Sequence, residues 1–191
     1  MKYLIIYAHP NESSLNNHLL KKVIDILQKG QQEIEIRDLY KIQFNPVLSF
    51  ADMEGQRIGK VDAIVQREQE YISWADHLVF IYPIWWTGMP AIIKGYIDRV
   101  FSYGFAYRYD QGVQRGLLTG KMATIINTQG KSKAEYQSIG MDKALSLTSD
   151  KGIFTYCGLE INQHLFFDRA DKVNSSVVEE WGVQIKKTLS N

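Results

Sequence analysis

The sequence predicts an α/β fold of the doubly wound kind, a five-stranded parallel sheet with helices on both faces. Two observations carry this. Residues 3–8 and 77–82 are short, continuously apolar runs, the mark of strands buried on both faces. Between such runs lie stretches with the 3.6-residue period of amphipathic helices, and strands alternating with helices imply right-handed crossovers in one parallel sheet.

Taken in order, residues 3–8 form the first strand and a His-Pro-Asn turn follows. Residues 15–27 have helical periodicity, which Gly30 can end. Residues 33–38 alternate Ile34 and Ile36 with charges, as an edge strand does. Residues 44–59 contain Pro46 and two glycines and are expected to be irregular, and 62–74 is a helix. After the third strand (77–82) come a helix over 91–101, a fourth strand over 122–127, a helix over 135–147, a fifth strand over 159–167 and a closing helix over 173–189. No repeat or linker divides the 191 residues, so residues 1–191 are expected to be a single domain with room for a substantial core.

Composition narrows the function. A net charge of +1, with no block of like charge, speaks against nucleic acid as a partner. The opening apolar run is too short for a signal peptide or a membrane span, so no membrane insertion and a cytoplasmic location are expected. One cysteine, Cys157, can form no intramolecular disulfide, and no metal-ligand spacing is present.

In a doubly wound sheet, ligands bind beyond the carboxyl ends of the strands, which directs attention to three loops. The first, HPNESSLN, has no G-x-G-x-x-G or phosphate-loop pattern, which disfavours a conventional nicotinamide domain or an ATPase. Ser13, Ser14 and Asn16 stand where a helix begins, so they can hold a phosphate or simply cap the helix, and the cap is the favoured reading. His9 can hydrogen-bond a phosphate without fixed charge, or be a satisfied structural histidine. In the second loop Trp85 and Trp86, flanked by Pro83 and Pro90, can wall a flat ligand while the backbone of the Trp-Trp-Thr-Gly turn reaches its polar edge. The alternative is that both indoles pack in the core or at a subunit contact. Asp98 and Arg99 on the next helix read as an ion pair of little weight. The third loop brings Thr128, Gln129 and Gly130 to the end of the fourth strand. Each loop is weak evidence alone, but all three lie at one edge of one sheet.

These residues resemble the flavodoxin-like NAD(P)H:quinone oxidoreductases, including the bacterial modulator-of-drug-activity and potassium-efflux ancillary members. The carriers are LIIYAHPNESSLN near the start, DLYKIQFNPVLS at 38–49, ADHLVFIYPIWWTGMPAIIKGYIDRVFSYGFAY at 75–107, the NTQG loop and IFTYCGLE at 153–160. The resemblance implies strand order 2-1-3-4-5 and a bound flavin, with FAD slightly favoured over FMN because the NPVLS stretch is retained, although the C-terminal extension of the larger members is lacking. It implies that His9, Ser14, Leu15 and Asn16 contact the flavin's diphosphate or ribityl region. Pro83, Ile84, Trp85, Trp86 and Thr87, with Asn127, Thr128, Gln129 and Gly130, would surround the isoalloxazine. Tyr136 would be the catalytic residue and, with Tyr107 and Tyr109, would contact substrate, the last two from the partner of a homodimer with composite sites. The activity implied is hydride transfer from NAD(P)H through flavin to a quinone or similar acceptor by a two-step exchange. The alternative is a flavin- or nucleotide-binding regulatory subunit of a membrane transporter. The larger members' catalytic histidine is missing from YQSIGMDKAL, where Met141 and Asp142 stand.

Overall fold

Two apolar strands, β1 (Lys2–Tyr7) and β3 (His77–Pro83), lie side by side in the computed structural model, which describes residues 1–190. Outside β1 is β2 (Glu33–Asp38); outside β3 come β6 (Met122–Thr128) and β7 (Glu160–Phe167). The order is β2-β1-β3-β6-β7 and every pairing is parallel. A separate antiparallel hairpin, β4 (Tyr107–Asp110) and β5 (Val113–Gly116), interrupts the numbering, and without it the order is the expected 2-1-3-4-5.

Burial explains why the inner strands are apolar on both sides. All of β3 is buried because side chains of alternating direction meet helices on either face. On one face Tyr3, Ile5, Tyr7, Val79 and Ile81 pack against α1 (Leu15–Lys29) and α7 (Ser175–Leu189) through Leu19, Val23, Trp181 and Ile185. On the other, Leu4, Ile6, Leu78 and Phe80 meet Val65 and Ile72 of α3 (Ala63–Trp74), together with Ile93 and Tyr96 of α4 (Ala91–Val100). Edge strand β2 is largely open, as its alternation requires.

Three segments differ from the sequence expectation. The stretch over 44–59 is not wholly irregular: α2 (Phe50–Arg57) is nucleated by a capping box in which Ser49 and Asp52 satisfy each other's backbone N–H groups. The aromatic stretch after α4 runs into the β4–β5 hairpin, turned by Gln111 (φ 51°) and Gly112 (φ 80°). The helix expected over 135–147 breaks at Gly140, whose φ of 72° ends α5 (Lys133–Ser138) before α6 (Met141–Ser146) begins. From Leu147 to Thr155 the chain continues as a π-helix.

Arg99 does not pair with Asp98. Buried to 6% exposure, it reaches back to the α2 segment, where Nε and Nη2 donate to Asp52 at 3.2 and 3.0 Å and Nη1 donates to the Asn45 carbonyl at 2.9 Å. Asp98 pairs instead with Lys94 one helical turn away. A side chain on Gly95 would fall 2.0 Å from the Pro46 carbonyl oxygen, so α4 and the 44–59 excursion meet backbone to backbone. Cys157 is buried beside the hairpin, and burial pushes its thiol up to about 12. No helix among the described residues is long and apolar enough to cross a membrane.

Candidate functional site

At the carboxyl edge of the sheet the loops after β1, β3 and β6 enclose one open hollow of about 250 Å³. His9, Ser14, Leu15, Asn16, Pro83, Ile84, Trp85, Thr128, Gln129 and Gly130 line it. Ala170 and Asp171, from the turn after β7, complete the wall. These two escaped sequence reading, although the rule that pointed to the other three loops applies equally to the end of a fifth strand.

Ser14 is the N-cap of α1, its Oγ accepting from the Asn17 N–H at 3.2 Å. The cap reading therefore holds, and the residue faces the hollow as well. Asn16 is buried, and its Nδ2 donates to Thr128 Oγ1 at 2.8 Å, a bond between residues 112 positions apart that ties α1 to the end of β6. That geometry leaves Asn16 Oδ1 buried without a partner. Gln129 is in the same condition: Nε2 donates to the Lys131 carbonyl at 3.0 Å while Oε1 has none. An unsatisfied buried acceptor costs about 1–3 kcal/mol, so two in one hollow are a deficit that N–H or O–H groups of a ligand would remove. The pyrimidine N–H and ribityl hydroxyls of a flavin are such groups, and the residues present fit it.

His9 presents its Nδ1 to Asn11, whose N–H is 3.1 Å and whose carbonyl is 3.2 Å away. Asn11 thus serves Nδ1 in either tautomer, leaving Nε2 for another partner. Burial lowers the pKa of His9, favouring the neutral ring.

The Trp-Trp turn is held by a reciprocal pair of backbone bonds, Trp85 N–H to the Gly88 carbonyl and Gly88 N–H to that of Trp85, both 3.1 Å. Between them Trp86 and Thr87 have φ of 51° and 55°. Two left-handed residues make a reverse turn of the I′ kind, which ordinarily takes Asn-Gly, and a β-branched threonine there is an outlier. Neither indole is core: Trp86 is 100% exposed, and Trp85, 41% exposed, sets its edge against His9 with centroids 5.8 Å apart. Local strain in such turns concentrates at binding sites.

The remaining candidates stand elsewhere. Trp86 and Thr87 project from the turn without lining the hollow. Asn127 points to the opposite face of the sheet, into a second hollow with Tyr82, Met89, Ser149 and His164, and Ile84 borders both. Tyr136 lines a third hollow with Lys133, Asp142 and Phe166, adjoining the first through Gln129. Tyr107 and Tyr109 belong to the hairpin. Tyr107 packs against Tyr103 and Tyr156, and the Tyr109 hydroxyl is 3.0 Å from that of Tyr156.

Comparisons with known proteins agree on one family. A family profile described as a flavodoxin-like fold matches residues 1–188. A Haemophilus influenzae protein named "uncharacterized NAD(P)H oxidoreductase" is 38% identical over 184 residues, 94% of this chain and 91% of its own. NAD(P)H dehydrogenase [quinone] 1 of Cavia porcellus is 29% identical over 178 residues, spanning 83% of this chain and 65% of that enzyme. Among solved structures, a Klebsiella pneumoniae protein provisionally named a quinone reductase superimposes with a TM-score of 0.91 at 30% identity, covering 100% of this chain and 84% of its own.

Proposed function

Because the chain belongs to the flavodoxin-like fold family, we infer that it is a flavin-dependent NAD(P)H oxidoreductase, passing a hydride from NAD(P)H through bound flavin to a quinone or similar acceptor. The observation that carries this is that Asn16 and Gln129, which both line one hollow at the carboxyl edge of the sheet, each bury a side-chain oxygen without a partner. When bound, the flavin supplies reversible two-electron chemistry, and the protein supplies binding, orientation and electrostatics.

The residues divide that work. The start of α1 offers an anion the positive end of a helix, with Ser14 beside it and His9 Nε2 as a neutral donor. Asn16 and Gln129 accept from ligand N–H or O–H groups. Trp85 and Ile84 form an apolar wall, and the strained turn holds the Trp86 indole out in solvent where it can cover a planar ligand. Tyr136, one hollow away across Gln129, is proposed to supply a phenolic proton, with Asp142 in the place of the larger relatives' histidine.

We further propose that residues 1–191 act as one flavin-binding domain in the cytoplasm, and that two copies pair so that Tyr107 and Tyr109 of each cover the other's substrate pocket. The half-exposed Tyr109 and fully exposed Trp86 support that pairing, since contact would bury both. The sequence favours FAD over FMN only through the retained NPVLS stretch. That stretch adjoins a clasp to α4, formed by Arg99 with Asn45 and Asp52, which gives its retention a packing reason instead.

Purified protein should be yellow, bleach anaerobically with NADH or NADPH, and recover colour on addition of a quinone. Denaturation followed by mass identification of the released cofactor separates FMN from FAD. Protein that takes up neither flavin would end this reading.

A further inference from the structure

The hollow on the other face of the sheet contains a chain of buried polar groups that the proposed function does not use. The Tyr82 carbonyl can only accept, so the Asn127 atom 2.9 Å from it is Nδ2, which donates. This turns Asn127 Oδ1 toward His164 Nε2 at 2.7 Å, and an oxygen there requires a proton on Nε2. The other ring nitrogen, Nδ1, is 2.8 Å from Asp150 Oδ1, an oxygen that also lies 2.8 Å from Ser149 Oγ. Ser149 Oγ is also 2.8 Å from the Leu145 carbonyl and has one proton to give; with that proton turned to Asp150, the contacts of the chain are satisfied together when Asp150 is ionised and His164 is protonated on both nitrogens.

We propose that His164 is a buried imidazolium, held by Asp150, that positions Asn127 and thereby the flavin-facing ends of β3 and β6. This deepens the flavin reading and rests on it. Asn127 directly precedes Thr128 and Gln129, and the carbonyl it holds directly precedes Pro83 and Ile84. One amide therefore joins two walls of the cofactor hollow from behind. The side chains of His164 and Asp150 are 6% and 13% exposed, so neither charge would be tolerated there without the other. His164 also stacks on Phe166, with centroids 3.9 Å apart and planes at 21°, which fixes the ring. Asp150 is delivered by the π-helix, a form of backbone frequent at functional sites. Burial pushes the Tyr82 phenol up, and the nearby Asp150 carboxylate adds to it. His164 touches no substrate in this arrangement and acts through Asn127, as a positioning residue.

The test uses two readouts. In flavin-free protein labelled with ¹⁵N-histidine at neutral pH, both His164 nitrogens should carry protons, the signal being assigned with His164→Gln. In Asp150→Asn, a near-isosteric change, only Nε2 should remain protonated. By fluorescence titration, Asp150→Asn should then bind FMN about tenfold more weakly than wild type, the worth of one charge-assisted hydrogen bond, with the circular dichroism unchanged. A neutral His164 in the wild type overturns the proposal, as does an Asp150→Asn variant that binds FMN as tightly as wild type. Wild type that binds neither FMN nor FAD defeats the functional reading and the positioning role with it, whereas the nitrogen spectrum reports the ion pair either way.

Discussion

Replacing Trp86→Asn and Thr87→Gly together should make the flavin-free protein more stable while weakening its hold on flavin. Both residues occupy the left-handed region, at φ 51° and 55°. That conformation costs an ordinary L-residue about 1–2 kcal/mol, and the branched Cβ of Thr87 places it at the upper end. Asn-Gly suits this turn, so the exchange should recover roughly 2–3 kcal/mol. Glycine's added freedom in the unfolded chain takes back roughly 0.5–1 kcal/mol. Loss of the exposed Thr87 Oγ1 bond to the Trp86 carbonyl, 2.7 Å long, takes back a further ~0.5 kcal/mol. Trp86 is fully exposed, so its removal sacrifices no buried area within the chain. The net gain is about 0.5–2 kcal/mol, which in a chain of this length raises Tm by roughly 1–8 °C. Calorimetry of the flavin-free protein measures it, and titration with FMN or FAD measures the binding that the missing indole should weaken. An unchanged or lowered Tm would show that the turn is not strained and would remove it as an argument for a binding site.

Other consequences follow from the clasp and the hairpin. Arg99→Met leaves Asp52 buried without its partner and should lower stability by about 3–5 kcal/mol, read from the urea midpoint. Burial alone would raise the Asp52 pKa, but the bonds from Arg99 and Ser49 outweigh it and hold the carboxyl below its ordinary value of 3.8. Its contribution is therefore present above that value and lost as pH falls through the lowered one. Asp52→Asn should accordingly flatten the acid limb of the stability–pH curve, and an unchanged limb would count against the assignment. Gly95→Ala improves helix propensity by about 1 kcal/mol, yet it should destabilise by ~1–3 kcal/mol because its Cβ would meet the Pro46 carbonyl at 2.0 Å. Faster proteolysis within residues 44–59 would locate the damage. Tyr107→Ala should leave flavin retention intact and alter the KM for quinone, whereas loss of flavin would place Tyr107 in the cofactor site.

Local patterns made much of this molecule legible. The apolar runs of β1 and β3 announce two-sided burial, and the loops that follow them meet because a parallel sheet sends every carboxyl end to one edge. Gln111-Gly112 and the Ser49-x-x-Asp52 box are signals of the same local kind, the first in a stretch without an assigned element and the second within residues expected to be irregular. The break at Gly140 shows the limit of periodicity, since the residues around it keep helical spacing while one positive φ divides the helix. What spacing cannot show is pairing across the fold. Arg99 sits beside Asp98 in sequence, but its partner Asp52 is 47 residues away, and Asn16 meets Thr128 across 112. His164 could have been noticed as a polar residue sharing a strand face with Phe166. Its partner, Asp150, arrives on a π-helix that no period of 3.6 foretells.

The lone cysteine gives the fold a built-in clock. Cys157 is 4% exposed, its carbonyl accepts the Leu118 N–H at 2.8 Å, and Gly116 of the hairpin passes so close that a methyl group there would overlap the Cys157 carbonyl carbon. With its thiol pushed up to about 12, it is nearly all unreactive at neutral pH even before access is considered. An alkylating reagent can therefore register only those moments when the hairpin and the end of the π-helix part. The rate of labelling then reports how much of the time the protein spends open there, with no probe to be engineered and no second thiol to confuse it.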